Sequence, residues 1–454
     1  MTMQKIIEAD TLTIPLIYNR LTGKHKSLLE GTAKDSDSGR YSIIAFNPVH
    51  EIQIVGQKFI FDGVETMEED PLNKLYEQIV SLEKAVAPFP FEAGAIGYVG
   101  YDMVRLYEKI GEAKMDDLEL PDAHFFLYDS FVIFDHKFER VTLVEDNAYS
   151  KRGEEELKAA LANLEHEIFT PKEGEARAAK LPELTFKSQL TKEAFIKKVE
   201  RAKAYIEAGD FFQVVLSQRL DAEFKGDAFS FYRKLRLLNP SPYLFFIDFG
   251  ETKLIGSSPE SLVSVNGNVV RTNPIAGTRK RGETKEDDQK LSEELLKDEK
   301  ELAEHRMLVD LGRNDIGRVS EVGSVTVPIY LTIERYRFVM HIVSVVEGKL
   351  LEKRNAMDAL KSVLPAGTVS GAPKIRAMQR LYEWEDIKRG PYGGAVGYLT
   401  KRGNADFALA IRMAVIHQDH VYVQAGAGIV YDSNPENEYL ETLQKAKALL
   451  EVAK

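Results

Sequence analysis

Apolar and polar residues alternate in short runs over the first third of the chain. Such runs occupy 41–46, 51–55, 125–134 and 140–144. A period of two places the apolar side chains on one face of an extended chain, so these runs predict antiparallel strands. At 154–168 the apolar residues recur every three or four positions, which predicts a helix.

The periodic pattern stops between 165 and 184. This stretch has little periodic apolar content and contains Pro171 and Gly174, which are typical of a loop or linker. We therefore predict an N-terminal region at 1–165, a linker at 166–185 and a second region at 186–454.

The second region mixes the two periods. Its pattern predicts helices at 192–208, 287–311 and 437–453, and strands at 211–220, 243–249, 341–346, 394–399, 407–416 and 420–424. Helices and strands do not alternate regularly, so we predict an α+β fold rather than a doubly wound parallel sheet. The segments 94–98 and 394–398 are nearly identical and predict two glycine-rich core strands that pack closely.

Composition narrows the class of protein. The chain has 454 residues, a net charge of −11 and no cysteine. The acidic balance argues against nucleic acid as a partner and gives no support to binding at an anionic membrane. The lack of cysteine excludes disulfides, thiolate metal sites and a cysteine nucleophile. No apolar run approaches the ~20 residues of a membrane span, and the first residues lack a signal-peptide pattern, so we expect a cytoplasmic protein.

Two glycine-rich segments resemble nucleotide-binding motifs but fail the test of spacing. At 367–374 the lysine does not follow the second glycine directly, as a phosphate-binding loop requires. After 425–428, Tyr431 stands where the dinucleotide motif has its third glycine. His305 and His341 also lack a second histidine at the spacing of a zinc site.

Carboxylates and glycine-rich turns are the remaining candidates for chemistry. Glu301 and Glu304 fall on one face of a predicted helix, and Glu441 lies on the last helix. Together with turns at 276–278, 367–368 and 426–428, and with Arg412 on a strand, they are compatible with a magnesium-dependent site for a small anion. A solvated acidic helix face and ordinary turns explain the same residues, so both interpretations stay open at this point.

Six ordered segments resemble the chorismate-utilising enzymes, with matching order and spacing over about 191–448. The segments are 273–279, 303–311, 339–344, 367–374, 391–398 and 423–428. The first part of the chain, including 28–30 and 39–42, resembles the N-terminal region of anthranilate synthase component I. The resemblance implies a two-lobed α+β fold in which large antiparallel sheets flank a cleft and helices lie outside.

The resemblance also implies roles for individual residues. Glu304 and Glu441 would hold Mg²⁺, Glu301 would orient water near the metal, and Glu260 would protonate the departing C4 hydroxyl of chorismate. His341 and Thr368 would line the ring. The residues that would contact the substrate are Gly277, Thr278, Lys374, Tyr392, Arg412, Gly426, Ala427 and Gly428.

Three positions bear on the product. Gln213 stands where water-adding members carry a basic lysine, and a glutamine amide cannot take a proton at neutral pH. Ala276 offers no nucleophile to the ring, and Val215 stands where aminodeoxychorismate synthases often have asparagine. These residues favour an anthranilate-forming lyase. The alternatives are aminodeoxychorismate synthase component I and a non-catalytic subunit that binds chorismate or tryptophan.

The resemblance implies a partner and a regulator as well. Glutamine hydrolysis in this pathway uses a cysteine, so we expect a separate glutamine amidotransferase subunit to supply ammonia. Gly31, Pro242, Tyr243 and Leu244 fall at the family's tryptophan site, but Gly31 replaces a serine. We therefore expect weakened or absent inhibition by tryptophan.

Overall fold

The computed structural model describes residues 1–31, 39–85, 89–175, 177–336 and 339–453. Within these residues, 24 strands form two antiparallel sheets of twelve strands each, and eleven α-helices and one 3-10 helix accompany them. The predicted α+β class with large antiparallel sheets is confirmed.

The first sheet contains β1 (Thr2–Glu8), β2 (Ser27–Glu30), β3 (Tyr41–Ala45), β9 (Ser130–Asp135), β10 (Arg140–Asp146), β11 (Lys187–Ser188), β12 (Gln213–Glu223), β13 (Tyr243–Asp248), β14 (Thr252–Ser258), β20 (Gly371–Ala372), β23 (Met413–His417) and β24 (His420–Ile429). The second contains β4 (His50–Val55), β5 (Lys58–Phe61), β6 (Val64–Met67), β7 (Gly94–Val99), β8 (Ala123–Tyr128), β15 (Ser261–Asn266), β16 (Val269–Thr272), β17 (Ile275–Lys280), β18 (Thr326–Arg335), β19 (Val339–Lys349), β21 (Ala395–Thr400) and β22 (Ala405–Leu409).

The helices are α1 (Ile14–Arg20), α2 (Pro71–Ile79), α3 (Glu154–Phe169), α4 (Lys192–Glu207), α5 (Ala228–Leu238), α6 (Lys285–Leu295), α7 (Glu299–Gly317), α8 (Ala356–Val363), α9 (Gly367–Ser370), α10 (Lys374–Trp384) and α11 (Pro435–Leu450), with the 3-10 helix at Tyr101–Leu106. None of the described helices is both long and apolar enough to cross a membrane.

The two sheets pack face to face, and most helices cover their outer faces. Strand β13 shows why, because its successive side chains point to opposite faces. Phe245 and Ile247 belong to the apolar cluster between the sheets, together with residues of β7, β8 and β21. Leu244 and Phe246 belong to a second cluster, which α1, α3, α5 and α11 cover.

Strands from both sides of the predicted linker are neighbours in each sheet. In the first sheet β2 pairs with β13, and in the second β7 pairs with β21. The division at 166–185, which includes residue 176 outside the described part of the chain, stays a prediction. The hydrogen-bonded sheets themselves run across it.

The glycine-rich strands that the sequence singled out lie side by side. Gly97 is directly opposite Gly397 in the pairing of β7 with β21. A Cβ atom on Gly97 would lie 2.0 Å from the carbonyl oxygen of His124, and one on Gly397 would lie 2.0 Å from that of Asp406. The expectation of closely packed core strands is confirmed.

Several predicted elements are interrupted in the structure. The predicted helix 287–311 is two helices, because Asp298 accepts hydrogen bonds from the backbone N–H groups of Lys300 and Glu301 and so begins α7. The predicted strand 125–134 is divided between β8 and β9.

The interruption of the predicted strand 407–416 matters most for the site. It divides into β22 and β23, and Arg412 lies between them in the left-handed region with φ of 53°. The predicted turn at 426–428 is instead part of β24. The hydrophobic pattern indicates neither the break at Arg412 nor the strand at 426–428, because the backbone dihedral angles of single residues do not alter that pattern.

Candidate active site

Glu260 lies in the short connection between β14 and β15 and is held by a neighbouring helix. The Thr368 hydroxyl, in α9, donates to the Glu260 carboxylate over 3.0 Å. Burial raises the pKa of Glu260 to about 7, although the Thr368 hydrogen bond acts in the opposite direction. A carboxyl group with this pKa is substantially protonated at neutral pH and can act as a general acid.

Arg412 and Lys445 bring positive charge to the same place. Arg412 Nη1 donates to the carbonyl oxygen of Lys445 over 2.6 Å. The Lys445 ammonium donates to the carbonyl oxygen of Gly426 over 3.1 Å and forms an ion pair with Glu441 at 2.6 Å. The charge of Lys445 also acts to lower the pKa of Glu260, so these cations lie near the acid.

His341, on β19, faces the bulge in β17. Its Nδ1 atom is 3.0 Å from the carbonyl oxygen of Gly277 and 3.1 Å from the hydroxyl of Thr278. A carbonyl oxygen can only accept, so Nδ1 carries the hydrogen and Nε2 keeps its lone pair. Burial and the charge of Arg412 lower the pKa of His341, which leaves a neutral imidazole at neutral pH.

The bulge in β17 is where the sequence places a glycine-rich turn. The register of β17 against β19 shifts between Ala276 and Thr278, and Gly277 has φ of 71°. Glycine takes this conformation without strain. A Cβ atom on Gly277 would also lie 3.2 Å from a carboxylate oxygen of Glu301, so the missing side chain lets β17 approach α7.

The acidic residues of α7 and α11 have different partners. Arg279 Nη1 donates to Glu301 over 3.2 Å, which supplies the cation that the pair Glu301 and Glu304 needs. Glu304 has neither a hydrogen bond nor an ion pair within the described residues. Glu304 is exposed at the surface of α7. Partial desolvation of its carboxyl group, followed by the negative charges of Glu301 and Glu441, raises the pKa of Glu304.

This donor set fits a hard divalent cation that also binds substrate oxygens. Within the part of the chain that the structure describes, no three acidic or histidine side chains are grouped closely enough to enclose a metal. Mg²⁺ usually takes only one or two protein carboxylates and fills its remaining positions with water and substrate. Glu304, whose side chain has no partner among the described residues, and Glu441, which is paired with Lys445, are the two carboxylates for such a cation, and this assignment stays a prediction.

The glycines of β24 form one wall of the site. A Cβ atom on Gly426 would lie 3.1 Å from the hydroxyl of Tyr392, and one on Gly428 would lie 2.5 Å from the amide nitrogen of Gln213. Ala427, between them, is buried in the adjacent core. The lack of side chains therefore leaves the backbone of β24 close to Tyr392 and Gln213.

Lys374 differs from the other residues that the resemblance selected. Its ammonium forms an ion pair with the buried Asp315 at 2.6 Å and donates to the carbonyl oxygen of Val363 over 3.1 Å. Its charge is thus paired inside the protein, and a contact between Lys374 and a substrate stays a prediction.

Sequence reasoning missed Lys445 and Arg279 as parts of this site. Lys445 lies one helical turn after Glu441, so the i, i+4 spacing was a usable signal. Arg279 belongs to the family segment 273–279, but its pairing with Glu301 depends on the approach of β17 to α7.

A second cavity lies between the two sheets and brings together the four residues of the expected tryptophan site. Gly31, Pro242, Tyr243 and Leu244 line a cavity of about 130 Å³. A Cβ atom on Gly31 would lie 2.4 Å from the Cα of Gly39, so a serine here would require the backbone to move.

Asp406, on β22, also lines this cavity and was missed from the sequence. The Tyr243 hydroxyl donates to its carboxylate over 3.4 Å. Burial raises the pKa of Asp406 to about 7. Asp406 comes from the opposite sheet, and nothing in its own segment marks it as a neighbour of Gly31.

Comparison with known proteins identifies the family of this chain. The model of the family described as chorismate binding enzyme matches residues 25–451, and the chain belongs to that family. The resemblance seen in the sequence segments is therefore confirmed.

The relatives are similar over almost their whole length. The chain is 52% identical over 456 residues to anthranilate synthase component 1 of Lactococcus lactis, covering 99% of this chain and 100% of the relative. The crystal structure of anthranilate synthase component I from Streptococcus pneumoniae superposes with a TM-score of 0.86 at 50% identity, covering 98% and 99% of the two chains. MenF, the menaquinone-specific isochorismate synthase of Escherichia coli, shares the fold with a TM-score of 0.73 at 20% identity, covering 100% of this chain and 95% of that one.

We predict that Glu260→Gln makes the protein more stable at alkaline pH. A carboxyl group whose pKa is raised from about 4.5 to about 7 stabilises the folded state below pH 4.5, and this contribution is lost as the pH rises through 7. The melting temperature of the variant should exceed that of the wild type by a few degrees at pH 8 and by much less at pH 5. The matched change Glu299→Gln, on the exposed side of α7, should show no such trend, and equal differences at both pH values would contradict the assignment.

Proposed function

We propose that this chain is the large subunit of an anthranilate synthase. It converts chorismate and ammonia into anthranilate, pyruvate and water. The observation that carries the proposal is the half-buried Glu260, partly protonated at neutral pH and hydrogen-bonded to Thr368, in a site that also holds Arg412, Lys445 and a neutral His341. The relatives named anthranilate synthase component 1 support the same product.

The first step needs an acid because hydroxide is a poor leaving group. Glu260 protonates the C4 hydroxyl, which departs as water while ammonia attacks C2 and the ring double bonds shift. Ala276 provides no side-chain nucleophile, so ammonia bonds to the ring directly. Gln213 cannot deprotonate water at neutral pH, which disfavours hydration of the ring.

The second step removes a proton from C2 and releases the enolpyruvyl group, which leaves as pyruvate after protonation. His341 suits the removal because its Nε2 lone pair is available while Nδ1 is bound to Gly277. The pKa of His341 lies below its ordinary value, so the imidazole is in the form that accepts a proton.

The substrate is a dianion, and the site offers cations and backbone groups to hold it. Arg412 can bind a carboxylate with two parallel hydrogen bonds, and the backbone of Gly426 and Gly428, which carries no side chains, can approach a ligand closely. Glu304 and Glu441 would hold Mg²⁺. When bound, Mg²⁺ neutralises the ring carboxylate and the developing negative charge.

Ammonia reaches this site from a partner in our proposal. The chain contains no cysteine, and hydrolysis of glutamine by this route requires one. A separate glutamine amidotransferase subunit therefore supplies the ammonia, and a cytoplasmic location completes the proposal.

The cavity beside Gly31 fits an aromatic amino acid, and we propose tryptophan as a weak regulator. Apolar residues of both sheets line most of the cavity, and Asp406 can accept a hydrogen bond from an indole N–H group. The missing hydroxyl at Gly31 removes one hydrogen bond, which is worth ~0.5–1.5 kcal/mol.

The isolated chain should form anthranilate from chorismate, magnesium and ammonium chloride. It should form none from glutamine, because it lacks the thiol that hydrolyses glutamine. Anthranilate fluorescence measures both rates. A non-fluorescent aminated product would instead indicate aminodeoxychorismate, and tight binding of chorismate without turnover would indicate a regulatory subunit.

Glu304→Gln and Glu441→Gln should each raise the magnesium concentration needed for half-maximal rate by at least ~10-fold, as loss of a charged ligand costs more than ~1.4 kcal/mol. Calorimetric titration of Mg²⁺ in the presence of anthranilate and pyruvate checks binding without turnover. Glu299→Gln, on the same helix, is the matched control and should titrate like the wild type. Unchanged magnesium dependence in both site variants would show that the metal lies elsewhere.

Tryptophan at micromolar concentration should leave the rate of anthranilate formation nearly unchanged. Gly31 has no hydroxyl group with which to bind tryptophan, and the close approach of Gly39 leaves no room for a side chain at position 31. Titration of tryptophan against the ammonium-dependent rate measures the effect. Half-inhibition at micromolar tryptophan would refute the expectation.

A further inference from the structure

Arg389 is a buried arginine close to the proposed acid, and no step of the reaction above uses it. Its side chain is 2% exposed. It forms two hydrogen bonds to Glu385, from Nε over 2.8 Å and from Nη2 over 2.6 Å. The guanidinium also lies over the ring of Tyr101 at 4.5 Å.

The other N–H groups of Arg389 hold the backbone of two segments that wall the site. Nη1 donates to the carbonyl oxygen of Val369 over 2.6 Å, and Nη2 donates to that of Val215 over 2.9 Å. Val369 is the residue after Thr368. Val215 lies two residues after Gln213 and is directly opposite Gly428 in the pairing of β12 with β24.

A single guanidinium therefore connects α9, β12 and the segment that leads to Tyr392. Glu385 compensates its charge and fixes its plane, because a carboxylate and a guanidinium match in a two-bond geometry. Lysine cannot reproduce this pattern, since its ammonium donates from one point and lacks the planar fork.

We propose that Arg389 is a positioning residue: by holding the carbonyl of Val369 it keeps the Thr368 hydroxyl against Glu260, and by holding Val215 it keeps β12 in register against β24. This inference rests on the proposed role of Glu260. Its consequence is that Arg389 controls the pH range in which Glu260 is protonated, although the two side chains are not in contact.

A purely structural role is the alternative, because breaking any buried ion pair destabilises a protein. The pH dependence separates the two. The Thr368 hydrogen bond acts to lower the pKa of Glu260, so its loss should move the alkaline limb of the kcat/KM profile to higher pH. One hydrogen bond corresponds to roughly 0.4–1 pH unit.

The experiment compares Arg389→Lys with the matched change Lys401→Arg, using the ammonium-dependent rate. Lys401 forms a similarly buried ion pair with Asp146, away from the site. Arg389→Lys should lower kcat by at least ~10-fold with less than ~3-fold change in the KM for chorismate, and should shift the alkaline limb upward by ~0.5 unit. Lys401→Arg should lower the melting temperature without moving the profile.

A double-mutant cycle with Thr368→Val provides the second test. If Arg389 acts through Thr368, Thr368→Val alone should reproduce the shift, and adding Arg389→Lys should change it little. Independent, additive effects would overturn the proposal, as would a wild-type pH profile in a destabilised Arg389→Lys variant.

Two further variants keep the result interpretable. If Arg389→Lys does not fold, Glu385→Gln, which retains the size of the side chain, should show the same shift of the pH profile to a smaller degree. A folded Glu385→Gln variant with a wild-type profile would contradict the inference.

Glu260→Gln tests the role on which the inference rests. If Glu260→Gln keeps full activity, the proposed acid is wrong; if it is inactive while Arg389→Lys behaves as wild type, only the role of Arg389 is wrong.

Discussion

Backbone pairing across the middle of the second sheet is the contact on which the rest of the structure depends. Strand β7 from the first third of the chain pairs with β21 from the last third, and Gly97 lies opposite Gly397. A side chain at either position would overlap a neighbouring carbonyl oxygen. Through this pairing, strands far apart in sequence form one sheet, which also contains β17 and β19, the strands that pack against α7.

The site uses two different ways to keep acidic residues in a confined space. Glu301 and Glu441 form ion pairs with Arg279 and Lys445. Within the described residues no cation contacts Glu260, and burial favours its protonated form. Carboxyl groups with such different surroundings can serve different tasks at one pH.

The cavity between the sheets and the proposed acid share strands. Tyr243, which lines the cavity, lies opposite Ser258 at the end of β14, and Glu260 comes two residues later. On the other sheet, Leu409 donates its backbone N–H to the Glu260 carbonyl over 3.0 Å, three residues after Asp406. The backbone that carries the acid is therefore continuous with strands that line the cavity.

The sequence by itself determined the fold class, the positions of about half of the described strands and helices, and the family, because these depend on hydrophobic period and on short segments of fixed spacing. It also named Glu301, Glu304 and Glu441 from their places on predicted helices, and Glu260 through the resemblance to the family. Only the tertiary structure decided which cation each acid meets, the left-handed turn at Arg412, and the place of Asp406 and Arg389. Those features arise where strands and helices distant in sequence approach one another, and the free energy of such contacts depends on burial and geometry that no local pattern contains.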